Sequence, residues 1–550
     1  MKLSNENHSS RSPVYGMRGM VAASQPLAVA AGLELLSNGG NAADAAIAAA
    51  AALNVTEPTS TGLGGDCFAL FYDAASGMVS AINGSGRAPG GLSIDLLKRN
   101  GFDNNLPLFH PYTITVPGAC AGWCDLIERC GTKPMADILA PAVRLAENGF
   151  PVAPVTAFFW GRGFQKQLKH APGGLELTID GHPPGAGQIF RNPGLARTLR
   201  KIAADGKSAF YEGDVADAIS SVIQQAGGCL TIDDLAAHRS TWEIPINTTY
   251  RGLRVWECPP NGQGLTALLA LNILEGFELS ELEPLSTERL HLLIEAMRLA
   301  FADSRWYVSD PAFGNIPLNQ LLSKDYASQR RKLIDPQSAT LDHRQGSPTT
   351  SSDTVYLSVV DGCGNACSFI NSNYMGFGTG IVPSGWGFSL QNRGANFSLD
   401  PSHPNALAPN KRPYHTIIPA IVTVPAGNSN TSSQGEELYA CFGVMGGFMQ
   451  PQGHVQVLTG MIDDGLNPQS VLDRPRFCIV TGESGGSVAF EDGISPTTLH
   501  ELSLMGHPIE AASPELFGVF GLGQIILRDP SNGVLCAGSD HRADGCAMTY

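Results

Sequence analysis

The stretch TVYLSVVDGCGNA (residues 354–366) decides the fold of this 550-residue chain. Its first eight residues are rich in β-branched and aromatic side chains and predict a strand over 354–361. The glycines of 362–365 predict a turn, and 366–371 predict a second strand that returns beside the first. We therefore expect a β-hairpin whose first strand begins abruptly at Thr354.

The segment before this hairpin, PQSATLDHRQGSPTTSSD (336–353), is polar and rich in Ser, Thr and Pro, which predicts an exposed linker. A cut between Asp353 and Thr354 would leave a free α-amine beside the Thr354 hydroxyl. That amine, with an ordinary pKa of about 8, can take the hydroxyl proton and so activate a weak nucleophile. Thr354 is therefore a candidate nucleophile. The alternative is an ordinary β-branched residue at the start of a strand.

Two other patterns support a nucleophile at this position. Ser372 follows the returning strand and is expected to lie near Thr354 across the hairpin, where its hydroxyl would polarise that of Thr354. Gly446 and Gly447 stand between an apolar strand and a helical stretch over 452–462. Consecutive glycines at such a turn can direct backbone N–H groups at one point, as an oxyanion hole requires. Close chain packing is the alternative for these glycines.

The N-terminal part of the chain mixes helical and strand patterns. Helices are predicted over 26–36, 42–54, 134–148 and 286–305, and strands over 67–72 and 251–257. The second helix is mostly alanine and is capped by Asn41, so we expect it to be buried. The glycine-rich loop TSTGLGGD (59–66) precedes a strand, which is the reverse of the order in a phosphate-binding loop.

Composition excludes several classes of function. Hydrophobic residues make up 43% and charged residues 15% of the chain, which is typical of a globular protein with a large core. The net charge of −15 makes nucleic acid an unfavourable partner. The twelve cysteines include no CxxC pair, and the chain has no HExxH or Walker motif. We expect free thiols in a reducing compartment, no metal and no cofactor.

Two further patterns are set aside. GESGG (482–486) matches the GxSxG motif of serine hydrolases, but the strand that follows predicts a hairpin there, so Ser484 is not expected to be a nucleophile. The first twenty residues lack the apolar core of a signal peptide, and the apolar run at 45–55 is too short to span a bilayer. The expectation is a cytoplasmic protein without a membrane partner.

Seven ordered motifs resemble those of the γ-glutamyltranspeptidase family, and together they cover nearly the whole chain. They are NGGNAADAAIA (38–48), GLGGDCF (62–68), TVYLSVVDGCGNA (354–366), FGTGIV (377–382), PNKRP (409–413), GVMGGFMQPQ (443–452) and GSDHRADG (538–545). The resemblance implies an N-terminal nucleophile hydrolase of the α+β class, with a four-layer αββα sandwich. It also implies a proenzyme that cuts itself into two subunits that stay associated.

By that resemblance the cleavage falls between Asp353 and Thr354. The large subunit would be residues 1–353, with 336–353 as the exposed processing segment, and the small subunit would be 354–550. Thr354 would be the nucleophile, and Gly446 and Gly447 would supply the oxyanion hole. Ser372 takes the place of the family's supporting threonine and keeps its hydroxyl.

The substrate-binding positions depart from the family pattern. Ser85 stands where γ-glutamyl enzymes carry an arginine, and Arg87 follows two residues later. The Gln-x-Asp-Asp-Phe pattern that holds the substrate α-amine reads RGANF here, so Arg393 and Asn396 replace the glutamine and an aspartate. The family's paired serines correspond to His415 and Thr416. These five residues, Arg87, Arg393, Asn396, His415 and Thr416, are the expected substrate-binding set.

The loss of a carboxylate and the gain of a cation change the preferred substrate. A free ammonium would face Arg393 without a partner, whereas an acyl group that carries a carboxylate would be stabilised. The substitutions resemble the branch of the family that contains oxamate amidohydrolase and the cephalosporin or glutaryl acylases.

Three hypotheses follow. The first is a self-processed threonine amidase that transfers the acyl group of a small amide to water or an amine. The second is a γ-glutamyl hydrolase or transferase acting on compounds such as glutathione, with Arg87 and Arg393 rearranged to hold the glutamyl group. The third, from another class, is an unprocessed binding protein that keeps the scaffold without catalysis.

Overall fold

The structure is a computed structural model and describes residues 11–103, 106–343, 354–425, 435–510 and 518–550. The strands are β1 (Val14–Gly16), β2 (Met20–Ala23), β3 (Asp66–Asp73), β4 (Met78–Gly84), β5 (Phe150–Pro151), β6 (Ile189–Phe190), β7 (Thr241–Glu243), β8 (Ile246–Tyr250), β9 (Leu253–Glu257), β10 (Val355–Val360), β11 (Ala366–Ser372), β12 (Ala420–Val424), β13 (Glu437–Met445), β14 (Phe477–Ile479), β15 (Val488–Phe490), β16 (Ile509–Glu510), β17 (Leu522–Arg528), β18 (Leu535–Ser539) and β19 (Cys546–Thr549).

The helices are α1 (Pro26–Ser37), α2 (Ala42–Thr56), α3 (Ile94–Arg99), α4 (Ala119–Cys130), α5 (Met135–Asn148), α6 (Pro154–Gly163), α7 (Pro193–Asp205), α8 (Ser208–Tyr211), α9 (Asp214–Gln225), α10 (Ile232–Ala236), α11 (Gly264–Leu274), α12 (Thr287–Tyr307), α13 (Leu318–Leu321), α14 (Lys324–Arg331), α15 (Met449–Ile462), α16 (Pro468–Asp473) and α17 (Pro496–Leu504).

Two seven-stranded sheets form the middle of the molecule. One has the order β1-β18-β17-β13-β12-β9-β8 and the other β19-β2-β10-β11-β3-β4-β7, with antiparallel pairing throughout. Strand β10 packs on β13 and β17, so the two sheets lie face to face. Helix α2 covers the outer face of the second sheet, and α11 and α15 cover that of the first. The predicted four-layer αββα sandwich is confirmed.

The predicted hairpin is formed by β10 and β11. Val355 pairs with Asn371 and Val360 with Ala366, and the Asp361 side chain accepts hydrogen bonds from the backbone N–H groups of Cys363 and Asn365 within the turn. This register brings Thr354, which directly precedes β10, opposite the end of β11. The other hairpin expectation is also confirmed, because β14 and β15 pair antiparallel around the GESGG loop.

The alanine-rich helix α2 is buried along its whole length. Asn41 caps it as predicted: its side chain accepts hydrogen bonds from the N–H groups of Ala43 and Asp44, and Asp44 accepts from Asn41 in return. Small side chains let α1, α5 and the hairpin strands pack closely around this helix. The core beneath the nucleophile candidate is therefore rigid.

Among the described residues, no helix is both long enough and apolar enough to cross a membrane. All twelve cysteines are free thiols in the structure, as expected from their spacing, although Cys363 is exposed rather than buried.

Candidate active site

Thr354 is fully buried at the start of β10, and its hydroxyl lies among polar side chains. Its Oγ1 lies 3.2 Å from Ser372 Oγ, the contact that the hairpin pattern predicts. Gln450, on the first turn of α15, points its Nε2 at the same oxygen from 3.4 Å. The main chain of Ile418 fixes the Gln450 amide by donating to its Oε1 at 2.9 Å.

The donors around Ser372 determine which way its own hydrogen points. Ser372 Oγ accepts a hydrogen bond from the backbone N–H of Tyr374 (2.9 Å) and another from Arg393 Nη2 (3.2 Å). Because two donors are directed at this oxygen, the 3.2 Å contact with Thr354 Oγ1 is one in which Ser372 can act as the donor. Ser372 and Gln450 thus form two donors aimed at one oxygen, an arrangement that stabilises negative charge developing there.

Gly446 and Gly447 form the turn between β13 and α15. Both have positive φ, +126° and +60°, a region that side chains disfavour. Among the described residues, neither N–H donates to an acceptor, whereas the Gly447 carbonyl accepts from Gln263 Nε2 at 2.9 Å. Gly446 lines the same narrow cavity as Thr354. Two backbone N–H groups without a described acceptor, at a turn whose Gly446 shares a cavity with Thr354, are what an oxyanion hole would require.

Arg393 lies directly behind Ser372 and is completely buried. Its Nη1 donates to Thr416 Oγ1 (2.7 Å) and its Nη2 to Ser372, while Nε has no described partner. The guanidinium stacks over the Tyr374 ring, 4.4 Å from the centroid. Burial lowers the pKa of Arg393 to about 10, with the negative charge of Asp66 opposing the shift, so the group stays positive at neutral pH.

Asn396 is linked to this cluster through Tyr374. The Tyr374 hydroxyl donates to Asn396 Oδ1 at 2.6 Å, and the Asn396 Nδ2 has no described partner. Asn396 lines a cavity of about 470 Å³, together with Arg305 and Tyr414. Where an aspartate would accept from a substrate ammonium, this site offers an amide donor.

His415 is turned toward a buried carboxylate instead of open space. Its Nε2 lies 3.0 Å from Asp66 Oδ2, and the N–H of Ile417 points at its Nδ1 from 3.4 Å. Burial and the charge of Arg393 lower the pKa of His415 to about 3. Burial would raise the pKa of Asp66, but the hydrogen bond from His415 and the charges around it hold that pKa below its usual value. His415 is therefore a neutral donor to an ionised Asp66.

Asp66 organises the loop that carries the candidate Arg87. Its Oδ1 accepts from the N–H groups of Gly86 (2.9 Å) and Gly118 (3.1 Å) and from Gln391 Nε2 (2.9 Å). Arg87 itself is half-buried, and its Nη1 reaches the Arg239 carbonyl at 3.4 Å. The structure thus brings Arg393, Thr416, Ser372 and Thr354 together and gives Arg87 no contact with them. Asp353 lies outside the described residues.

Cavities open on two sides of the nucleophile candidate. The one lined by Thr354 and Gly446 measures only about 20 Å³, room for about one water molecule. A neighbouring cavity of about 180 Å³ shares Gly446 with it and is lined by Phe159, Phe448 and Met375. Among the described residues, no group of three metal-ligating side chains lies beside Thr354.

Sequence reasoning missed four residues of this cluster: Asp66, Gln263, Tyr374 and Gln450. Asp66 and Gln450 stand inside motifs that drew attention for other reasons, GLGGDCF and GVMGGFMQPQ. Their contacts join parts of the chain as far apart as Asp66 and His415, 349 residues in sequence. Only the position of Tyr374, two residues after Ser372, could have been suspected from local pattern.

A sequence model of γ-glutamyltranspeptidases matches residues 28–550 of this chain. The chain belongs to the γ-glutamyltranspeptidase family. It is 37% identical over 549 residues to the glutathione hydrolase-like YwrD proenzyme of Bacillus subtilis (strain 168), covering 97% of this chain and 99% of that protein. It is 34% identical over 552 residues to the oxamate amidohydrolase proenzyme of Klebsiella pneumoniae, covering 99% of this chain and 100% of that protein.

Among solved structures, the cephalosporin acylase of Bacillus halodurans superposes with a TM-score of 0.89 at 46% identity, covering 99% of this chain and 98% of that one. This γ-glutamyltranspeptidase-family member is therefore an N-terminal nucleophile hydrolase, with acylase and oxamate amidohydrolase relatives. Its relatives are proenzymes, which implies one precursor processed into two subunits and a small-molecule substrate. An enzyme, rather than a binding protein, is the class that these findings support.

Proposed function

We propose that this chain cleaves itself between Asp353 and Thr354 and then hydrolyses amides whose acyl half carries a carboxylate, through an acyl-enzyme on Thr354. The observation that carries the proposal is the line of contacts Thr354–Ser372–Arg393, which puts a buried cation one residue behind the nucleophile candidate. The two products would be residues 1–353 and 354–550, each contributing strands to both sheets.

Self-cleavage needs no group beyond those near Thr354. Thr354 Oγ1 attacks the carbonyl carbon of Asp353, and the amide becomes an ester as a proton moves to the former amide nitrogen. Water then hydrolyses the ester and releases the Asp353 carboxylate and the Thr354 α-amine. Before this step Thr354 has no free α-amine, so the precursor lacks the base that takes the hydroxyl proton when the processed enzyme attacks a substrate amide.

In the processed enzyme the new α-amine takes the proton as Oγ1 attacks the substrate carbonyl. The N–H groups of Gly446 and Gly447 donate to the oxyanion, and the amine returns its proton to the leaving nitrogen as the C–N bond breaks. Water, activated by the same amine, hydrolyses the ester on Thr354 and releases the acid. Ser372 and Gln450 hold the Thr354 oxygen in place.

The position of Arg393 favours a short acyl group. Its Nη2 is separated from Thr354 Oγ1 by two hydrogen-bond distances of 3.2 Å each, so the two atoms lie no more than 6.4 Å apart. A carboxylate bonded directly to the scissile carbonyl, as in an oxalyl amide, is the one whose distance from Thr354 Oγ1 best matches this short separation. The glutaryl carboxylate lies three methylene groups further away, and the γ-glutamyl group brings an ammonium as well.

γ-Glutamyl hydrolysis is kept as the second candidate function, because glutathione hydrolase proenzymes of Bacillus subtilis and Escherichia coli are among the relatives, at 31% identity each. Kinetics on oxalyl, glutaryl and γ-glutamyl p-nitroanilides distinguish the two candidates. We expect the oxalyl amide to have the highest kcat/KM. A γ-glutamyl amide that is the best of the three would assign the enzyme to the glutathione hydrolases.

The nucleophile is tested with Thr354→Ala and, as a matched control, Thr354→Ser. The wild-type chain should give two bands on a denaturing gel, the smaller beginning Thr-Val-Tyr-Leu. Thr354→Ala should remain full length and inactive because it has no hydroxyl, whereas Thr354→Ser should still split, more slowly. A Thr354→Ala protein that splits and turns over substrate would refute the assignment.

A further inference from the structure

A second cluster of chemically capable side chains lies between α12 and the chain that follows α17. His291 and Glu295 are one helical turn apart on α12 and therefore share a face. His507 approaches this face from the loop after α17. The three side chains are buried, and one potential ligand atom from each lies within 4.8 Å of the others. The cluster shares no residue with the candidate active site.

The hydrogen bonds of His291 define its ring. Its Nε2 lies 2.8 Å from the Asp335 carbonyl, which only accepts, so Nε2 carries the hydrogen. Nδ1 is then a lone pair, and it faces His507 Nε2 at 2.8 Å. A metal-binding histidine commonly donates its second ring N–H to a backbone carbonyl in this way, which fixes the tautomer and the ring orientation.

A fourth group, His343, lies beside Glu295. His343 is 8% exposed, its Nε2 has no hydrogen-bond partner, and this atom lies 3.8 Å from Glu295 Oε2. Glu295 Oε1 likewise lacks a hydrogen bond. Buried polar atoms without partners are uncommon and call for a ligand. His343 Nε2 is thus an unsatisfied atom beside Glu295, whereas Glu295 Oε1 lies 3.5 Å from Arg298 Nε.

We propose that this cluster is a zinc site with His291, Glu295, His507 and His343 as ligands. Imidazole and carboxylate groups are the donors that Zn²⁺ prefers, and four protein ligands make a closed, structural site. At Zn–ligand distances of about 2.0–2.2 Å, ligand atoms of a tetrahedral site lie about 3.3 Å apart. The contact between His291 Nδ1 and His507 Nε2 (2.8 Å) and that between His343 Nε2 and Glu295 Oε2 (3.8 Å) lie on either side of that value. His343 stands outside the set of three residues whose ligand atoms lie within 4.8 Å of one another, so its side chain must move inward to complete the site.

Arg298 is the one cation beside the site among the described residues. Its Nε lies 3.5 Å from Glu295 Oε1, on the carboxylate oxygen opposite the one near His343. Its Nη1 donates to the carbonyls of Ser484 and Gly486, so the guanidinium is held without Glu295. Zinc bound through Glu295 Oε2 therefore leaves Arg298 in place, although the positive charge weakens the affinity.

Zinc at this position would join three parts of the chain. Besides α12 and the segment after α17, His343 belongs to residues 335–343, which lead toward the expected cleavage site. Thr340 already donates its N–H to Glu295 Oε2, and Ala339 donates to the Met505 carbonyl. The metal would thus hold residues 335–343, which lead toward the expected cleavage site, against α12. No local motif indicates this site, because successive ligands are 4, 48 and 164 residues apart along the chain.

The test measures zinc content and thermal stability of the purified full-length product. Three proteins are compared: the wild type, His291→Gln and His507→Gln. Each is dialysed with excess ZnCl₂ and then against buffer, and the number of zinc ions bound per chain is measured by mass spectrometry. His500→Gln is the matched control, because His500 is exposed on α17 and makes no described contact with the cluster. We expect one Zn²⁺ per chain and a raised Tm for wild type and His500→Gln, and more than tenfold weaker binding for the other two.

Co²⁺ provides a second readout that does not depend on the stability of the variants. Four-coordinate Co²⁺ in the wild-type protein should give intense visible absorption, which addition of Zn²⁺ abolishes. Wild-type protein that retains no stoichiometric zinc and shows no such band overturns the proposal. So does equal zinc binding by folded His507→Gln, since both results leave the cluster as a hydrogen-bonded pair of histidines beside an ion pair.

Discussion

Arg393 is the residue on which the substrate preference rests. Among the described residues no carboxylate forms a salt bridge with this buried guanidinium, and its partners are the neutral hydroxyls of Thr416 and Ser372. The negative charge of Asp66 stabilises the charged form of Arg393 electrostatically, without a described salt bridge between the two side chains. A buried cation without a direct counter-ion is costly. A substrate carboxylate would supply that counter-ion, which is why we place the anionic end of the acyl group there.

Replacement of Arg393 by glutamine should therefore remove the preference for an anionic acyl group. We compare oxalyl p-nitroanilide with the uncharged pyruvyl p-nitroanilide, in which a methyl group replaces one oxygen of the carboxylate. In Arg393→Gln the ratio of their kcat/KM values should fall at least tenfold, since a hydrogen-bonded charge pair contributes about 1.5–3 kcal/mol.

Arg87→Gln removes one positive charge, as Arg393→Gln does, and is therefore its matched control. Arg87 makes its described side-chain contact with the Arg239 carbonyl, so the ratio should stay near the wild-type value. If Arg87→Gln lowers the ratio and Arg393→Gln does not, the anion is bound at the loop that follows β4, as the sequence pattern also allowed.

Two contacts of the candidate site show which features can be predicted from the local sequence and which cannot. The contact between Thr354 and Ser372 follows from the register of one hairpin, so it was predictable from a stretch of sequence in which the two residues are 18 positions apart. The pairing of His415 with Asp66 joins the segment before β12 to the start of β3, and these strands belong to different sheets that meet only in the folded sandwich. No local pattern indicated that His415 is oriented by a carboxylate.

At the level of elements, the turn between β13 and α15 carries the candidate oxyanion hole. A Cβ on Gly446 would lie 3.1 Å from Gly521 Cα and 3.4 Å from Met449 Cβ, and the φ of +126° adds strain. Gly446→Ala should therefore turn the N–H away from Thr354 and lower kcat by about 10²–10³, with a smaller change in KM.

Gly465→Ala is the control for backbone strain in the absence of a steric clash. Gly465 has a φ of +65°, and a Cβ there would meet no heavy atom within 4 Å. This variant should lose Tm and keep kcat. If Gly446→Ala likewise loses only stability, the glycines serve chain packing.

One helix boundary differs from the sequence prediction for a physical reason. The helix expected over 452–462 begins at Met449, because Pro451 lies in its first turn, where a missing N–H breaks no helical hydrogen bond. The added residues include Gln450, whose amide contacts Thr354. Strand β12 begins at Ala420, after Pro419, which has no N–H, and the Ile418 N–H donates to the Gln450 side chain instead.

Over the whole molecule, the two expected subunits share both sheets. The second sheet takes β10, β11 and β19 from residues 354–550 and β2, β3, β4 and β7 from residues 1–353, and the first sheet is mixed in the same way. A cut before Thr354 therefore removes no strand pairing. The order of motifs along the sequence predicted the sandwich, but the interleaving of strands from the two parts is visible only in the fold.

The stability of the whole molecule should fall in mild acid because buried histidines resist protonation. Burial lowers the pKa of both His238 and His415 to about 3, helped by the charges of Arg412 and Arg393 respectively. In the unfolded chain these groups titrate at about 6.5, so between pH 6.5 and 3 the unfolded state binds more protons and stability decreases as pH falls. From pH 6.5 to 5 each contributes a loss of about 1–2 kcal/mol.

His238→Phe isolates one of these two groups. Both ring nitrogens of His238 lack hydrogen-bond partners and the ring stacks on Tyr211, so phenylalanine keeps the stacking and removes only the titrating group. We expect similar Tm values for the two proteins at pH 7.5 and a smaller drop for His238→Phe at pH 5. The measurement is made in a Thr354→Ala background, so that one chain unfolds. An equal drop in both proteins would mean that His238 takes up its proton in the folded state, and that its buried environment does not depress its pKa.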